Sequence, residues 1–103
     1  MLAAAGGDED AFGALVGGYS GNLMNFFLRK GVSYHDAQDL TEKTFLRLWR
    51  YRKNYRPQAK FTTFMFLLAG QVAVDFFRES ARRTRLADVL AAEAASIGSL
   101  VMA

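Results

Sequence analysis

The chain has 103 residues, 51% of them apolar and 14% aromatic, so it is one domain at most with enough apolar content for a core; it has no cysteine and one histidine, His35, which excludes disulfides and thiolate metal sites. No apolar run is read as approaching the roughly 20 residues of a membrane span, and the opening "MLAAAGGDEDAF" lacks the basic start of a signal peptide, so a cytoplasmic place is expected. The net charge of +3 is uneven: residues 1–46 hold three basic groups against six acids, whereas residues 47–85 hold ten against two, a balance that points the second half toward nucleic acid and the first toward a basic protein surface.

From Asp8 or Asp10, either of which can cap, Phe12, Leu15, Val16 and Tyr19 recur at i, i+3, i+4 and i+7 and predict a first helix. "GGYSGN" is expected to interrupt it before a second helix carrying Leu23, Met24, Phe26, Phe27 and Leu28. "RKG" then reads as a helix end, with cations in the last turn and Gly31 beyond. The third helix starts at Ser33, which stands at capping-box spacing from Asp36, with Asp in place of the usual Glu or Gln. Its buried stripe is expected to be Ala37, Leu40, Thr44, Phe45, Leu48 and Tyr51.

Pro57 marks a loop, "NYRPQAK", and a fourth helix is expected from about Phe61 to Arg83. Phe61, Phe64, Met65, Leu68, Val72, Phe76 and Glu79 would share one of its faces. Gly70 within it costs about 1 kcal/mol relative to Ala, which packing can override. No segment alternates with period two, so strands are not expected. The fold class is therefore all-α, a small bundle of about four helices over residues 1–85, and the alanine-rich residues 86–103 read as a helical or disordered tail that begins a linker.

Catalytic chemistry finds no support. The phosphate-loop, dinucleotide and His–Glu metal motifs are missing, and "GGYSGN" has no strand before it to form a phosphate cradle. Asp36, Asp39 and Glu42 at a helix start complement the helix dipole more simply than they form a paired-carboxylate site. No catalytic residue, metal or cofactor is expected.

The basic half carries more. From Arg50 to Phe66, cations interleave with Tyr51, Tyr55, Phe61, Phe64 and Phe66. Base stacking on an aromatic ring contributes roughly 1–3 kcal/mol while cations follow the backbone, a combination suited to unpaired DNA. Phe61 and Phe64 also fall on the buried stripe, whereas Tyr55 sits in the loop between Asn54 and Arg56. Arg78, Arg82, Arg83 and Arg85 of "RESARRTR" are placed for phosphate contacts.

The string "DAQDLTEKTFLRLWRYRKNYRPQAKFTTFMFLLAGQVAVDFFR", with the earlier "DEDAFGALVGGY", resembles region 2 of the bacterial RNA polymerase sigma-70 family, in its extracytoplasmic-function (ECF) group, over about residues 8–85. The resemblance implies a non-enzymatic transcription-initiation module. The helix matching residues 34–51 would dock on the coiled coil of the polymerase β′ clamp, with Asp39 and Glu42 in contact and Gln38, Lys43, Phe45 and Trp49 on or bordering that face. The loop would hold a flipped base of the non-template strand of the promoter −10 element through Tyr51, Arg52, Lys53, Asn54, Tyr55, Arg56 and Lys60. Thr62, Thr63, Phe64, Leu67 and Gln71 would meet the upstream edge of that element, and Arg78, Arg82 and Arg83 would grip phosphates.

The chain departs from the family pattern at Lys43, where Glu is usual, at Phe64, where Trp is common, and at Gly70 and Gln71, which replace Arg-Asn. Lys43 reverses charge on the presumed clamp face, so Lys43→Glu is expected to strengthen docking on a basic surface. Gln71 can pair bidentately with adenine in the major groove. Nothing matches the family's helix-turn-helix domain, so an isolated region 2 is expected. The alternative reading is a helical interaction domain whose main partner is an anti-sigma factor, covering apolar residues of the fourth helix and the tail, with weak or no DNA binding alone.

Overall fold

The computed structural model describes residues 9–54 and 60–102. Among them are three α-helices, α1 (Glu9–Leu28), α2 (Tyr34–Arg50) and α3 (Phe61–Met102), and one 3₁₀ turn, Arg52–Asn54; no described residue is in a strand. This is the all-α bundle expected, reached with fewer and longer helices. Two compact units divide it, one ending at Ala73 and the other beginning at Val74.

The expected break at "GGYSGN" does not occur: Gly17, Gly18 and Gly21 all lie inside α1. Each glycine costs about 1 kcal/mol against alanine in a helix. The same helix buries Leu23 and Phe27 completely, and tertiary burial of this kind outweighs propensity. Glu9 and Asp10 occupy its first turn, where carboxylates oppose the positive end of the dipole. At the other end the Arg29, Lys30 and Gly31 amides donate to the Asn25, Phe27 and Leu28 carbonyls, each at 3.0 Å. Gly31 reverses the chain at φ 88°, a left-handed angle that glycine adopts without Cβ strain.

α2 begins as its sequence signals. Ser33 is extended, and its Oγ accepts the Asp36 amide at 3.0 Å. The helix packs along α1. Ala37, Leu40, Thr44 and Leu48 are buried as expected, and Thr41 joins them, while Phe45 is only half-buried and Tyr51 is exposed. Buried threonines are tolerated because their hydroxyls donate within the helix, Thr41 to the Ala37 carbonyl and Thr44 to the Leu40 carbonyl, both at 2.8 Å. The Tyr51 amide closes the helix on the Arg47 carbonyl at 2.9 Å.

α3 supplies Met65, Leu68, Ala69, Val72 and Ala73 to the core of the first unit. Rings join it to α1, Tyr19 with Phe61 at 5.2 Å and Phe26 with Phe66 at 5.4 Å. Gly70 leaves the helix continuous, and α3 runs far beyond the expected end near Arg83 because the alanine-rich segment is itself a good helix former. Its length and a mean hydropathy of 1.2 within Phe61–Gly98 reach what a membrane span needs, which the residue-by-residue reading did not anticipate. Within that stretch only Met65, Leu68, Ala69, Val72 and Ala73 are buried in protein.

In the second unit Val74, Phe77, Leu86, Val89, Leu90 and Ile97 are exposed, and Phe76 is half-buried with its ring 5.3 Å from Phe77. Glu79, expected on the buried face, is exposed and pairs with Arg82.

Candidate docking groove and nucleic-acid face

Packing α2 along α1 leaves an open groove of about 760 Å³ between them. Its apolar lining comes from Phe12, Val16 and Met24 of α1 and Phe45, Leu46 and Trp49 of α2. Glu9, Ser20, Tyr34, Gln38, Thr41 and Glu42 supply the polar lining. The α2 contributors are spaced three and four apart because α2 turns its Ala37–Leu48 stripe into the core and its next face into the groove. A trough of this kind, apolar inside with a few charges, takes the apolar ridge of a helix.

Trp49 is fixed on two sides. The Phe12 ring meets it edge-on at 5.0 Å with planes 62° apart, and the Arg52 guanidinium lies 3.8 Å from the ring centroid. Arg52 also donates from Nη1 to the Trp49 carbonyl at 2.6 Å, and its buried Nε has no hydrogen-bond partner. Arg52 therefore anchors the start of the loop on the tryptophan.

Gln38, Glu42, Phe45 and Trp49 thus lie together along the groove. Asp39 is not among its lining residues; it pairs with His35 Nε2 at 3.5 Å on the exposed side of α2. Lys43 lines a separate small cleft with Leu46, Arg47 and Arg50. Phe12, Val16 and Met24 had no role in the sequence reading beyond a helix stripe. The signal was present in their spacing, but spacing alone does not distinguish a core face from a groove wall.

On the basic side Tyr51, Lys53, Asn54 and Lys60 are exposed, whereas Tyr55 and Arg56 lie outside the described residues. Thr63, Leu67 and Gln71 are exposed at successive i+4 steps on α3 and form one stripe, with Leu67 60% accessible; Thr62 and Phe64 are half-buried. Arg78, Arg82 and Arg83 are exposed in the second unit. Arg82 grips Glu79 through two bonds, Nη2 to Oε1 at 2.7 Å and Nε to Oε2 at 3.1 Å. That grip, with the positive charge of Arg82 and Arg83 adding to it, holds the Glu79 carboxyl below its ordinary pKa and raises that of Arg82.

Among the described residues no three His, Asp or Glu side chains gather as a metal site. The family model for sigma-70 region 2 matches residues 15–83. The chain belongs to the sigma-70 region 2 family. Its relatives place it in the ECF group. It is 30% identical over 88 residues to the ECF RNA polymerase sigma-E factor of Haemophilus influenzae, covering 85% of this chain and 46% of that protein. It is 28% identical over 88 residues to the RNA polymerase sigma-H factor of Pseudomonas aeruginosa, with the same two coverages. With the ECF RNA polymerase sigma factor SigW of Bacillus subtilis it shares 26% over 73 residues, 71% of this chain and 39% of the relative. The chain thus spans less than half the length of these relatives. No solved structure matches it. Sigma factors are transcription-initiation factors rather than enzymes.

Proposed function

We propose that this chain is the part of a sigma factor that docks on the β′ clamp coiled coil of RNA polymerase and recognises and melts the promoter −10 element, in the bacterial cytoplasm. The observation that carries the reading is the separation of two chemistries within a family member. An apolar groove holding Gln38, Glu42, Phe45 and Trp49 suits a helical protein partner. The exposed Tyr51, Lys53, Asn54 and Lys60 beside the Thr63–Leu67–Gln71 stripe suit an opened DNA strand. In this reading Asp39 meets the clamp from the outer side of α2, and Lys43 stands at the margin of that contact. Tyr55 and Arg56 complete the base-holding loop, Gln71 reads a base edge, and Arg78, Arg82 and Arg83 take phosphates. Residues 1–85 carry these functions and residues 86–103 begin the linker.

A low-salt titration tests the reading, with a β′ coiled-coil fragment in one arm and a labelled non-template −10 strand in the other. Both bind, and the DNA affinity falls steeply as salt rises because neutralised phosphates release counterions. Binding of neither ligand refutes the assignment.

A second reading rests on the exposed Leu86, Val89, Leu90 and Ile97. An anti-sigma factor would cover such a surface and hold the domain inactive. Its mark is a purified chain that self-associates, binds no DNA and becomes monomeric with a helical partner.

A further inference from the structure

The end of α1 carries a feature that the docking groove and the loop do not use. A cleft of about 710 Å³ is lined by Asn22, Asn25 and Phe26 of α1, by Arg29 and Lys30 of the turn after it, and by Phe66 of α3. Asn22, Asn25 and Phe26 stand at i, i+3 and i+4 on one helix face, and Arg29, whose amide bonds the Asn25 carbonyl just past the helix end, adds a cation beside them. The Asn22 and Asn25 side-chain amides are exposed and make no hydrogen bond among the described residues. The Phe26 and Phe66 rings are half-buried, 5.4 Å apart and tilted 52°, and the Lys30 ammonium lies 4.7 Å over the Phe26 ring.

Cations after the last turn of a helix are explained by its dipole. The dipole explains neither the free amides nor the two rings. An acidic peptide would use the cations and leave the aromatic walls unmatched. A nucleotide uses every part: its base stacks on a ring, its edge offers the paired donor and acceptor that an amide matches, and its phosphate meets a cation. The volume lies within the range of sites for small ligands, roughly 300–1,000 Å³.

We propose that this cleft is a second nucleotide site, holding one unpaired nucleotide of the DNA strand whose other contacts are the loop and the α3 stripe. Phe66 is the stacking wall, backed by the Phe26 ring that Lys30 covers; Asn22 and Asn25 are the base-edge readers, and Arg29, with Lys30 beside it, is the phosphate contact. The site rests on the DNA-binding half of the proposed function and extends it to the opposite end of α1.

The test uses the full chain and a labelled dodecamer of deoxythymidine at low salt, with the Asn side-chain amides followed by NMR. Asn22→Ala with Asn25→Ala, Phe66→Leu, and Arg29→Gln with Lys30→Gln each lower the affinity about three- to tenfold, the range of one lost stacking or phosphate contact. The loop pair Tyr51→Ala with Lys53→Gln lowers it independently, and the Asn22 and Asn25 amide signals shift on binding. If the loop pair weakens binding while the Asn and Phe66 variants leave it within about twofold and the amide signals stay still, the cleft is not a nucleotide site and the proposed function survives. A loss confined to the Arg29 and Lys30 variant, with a shallower salt slope and unmoved amides, is diffuse attraction and also overturns the site. If the strand binds nowhere, the DNA-binding reading falls with it. Each variant's thermal unfolding is recorded, and Asn25→Asp, which keeps shape and removes the amide donor, stands in for any that fails to fold.

Discussion

Two surfaces meet at Trp49, and they differ in how their residues are held. On one side Trp49 walls a groove whose side chains come from two packed helices, with the Phe12 ring 5.0 Å away. On the other side it carries the Arg52 guanidinium at 3.8 Å, and the next residues, Lys53 and Asn54, are exposed in a single 3₁₀ turn. The groove is preformed by helix packing, which suits a rigid protein partner. The polar side chains at the loop's start are placed by short local contacts, which suits a ligand that must be wrapped. The lesson is that two adjacent surfaces of opposite chemistry are held by two kinds of support, one tertiary and one local.

The comparison breaks first at the shared core. Phe27 is fully buried, so Phe27→Ala costs about 3–5 kcal/mol, measurable as a lowered urea midpoint, and removes both proposed activities together. If DNA binding persisted in a chain that had lost clamp binding and cooperative unfolding, the two surfaces would not share a fold. The groove alone is next. Phe45→Ala lowers affinity for the β′ coiled-coil fragment about tenfold or more, as for an aromatic anchor at an interface centre, and leaves −10 strand affinity within about twofold. Equal losses in both titrations would erase the distinction.

Smaller effects sharpen the DNA side. Glu79→Gln frees Arg82 for phosphate, raising affinity for the −10 strand about two- to threefold and steepening its salt dependence. Because the Glu79 pKa is lowered in the folded chain, the pair is intact above the ordinary carboxylate range and is lost as pH falls through that lowered value. Acid therefore reproduces part of the variant's effect. The smallest change is at Lys43, which lies beside Arg47 and Arg50 and does not line the groove. Lys43→Glu still strengthens docking on a basic clamp surface, but only about two- to threefold, as an exposed charge at a margin. Weaker binding would remove Lys43 from that margin.

Much of α2 was legible because several independent signals agree there. Ser33 caps it, and Ala37, Leu40, Thr44 and Leu48 recur with the helical period and are buried. α1 was misread at "GGYSGN" because glycine propensity is a local term and the burial of Leu23 and Phe27 is not. Thr41 escaped the stripe because a threonine reads as polar until its hydroxyl is seen to bond the Ala37 carbonyl. Of the presumed clamp residues, Gln38, Glu42, Phe45 and Trp49 were brought to one groove; Asp39 and Lys43 sit a step around the helix, a difference the family motif does not encode. Arg52 carried the sharpest surprise. A loop arginine beside aromatics reads as a DNA contact, and the sequence did not signal that its guanidinium also lies on the Trp49 ring.

The central claim is that the groove and the loop-to-α3 surface serve different ligands at once. The most direct measurement is a three-component titration of the full chain at low salt, adding the labelled non-template −10 strand to chain already saturated with β′ coiled-coil fragment. The account predicts a ternary complex in which the strand binds at least as tightly as to the chain alone. Displacement of one ligand by the other would contradict it, because the two surfaces would then be one.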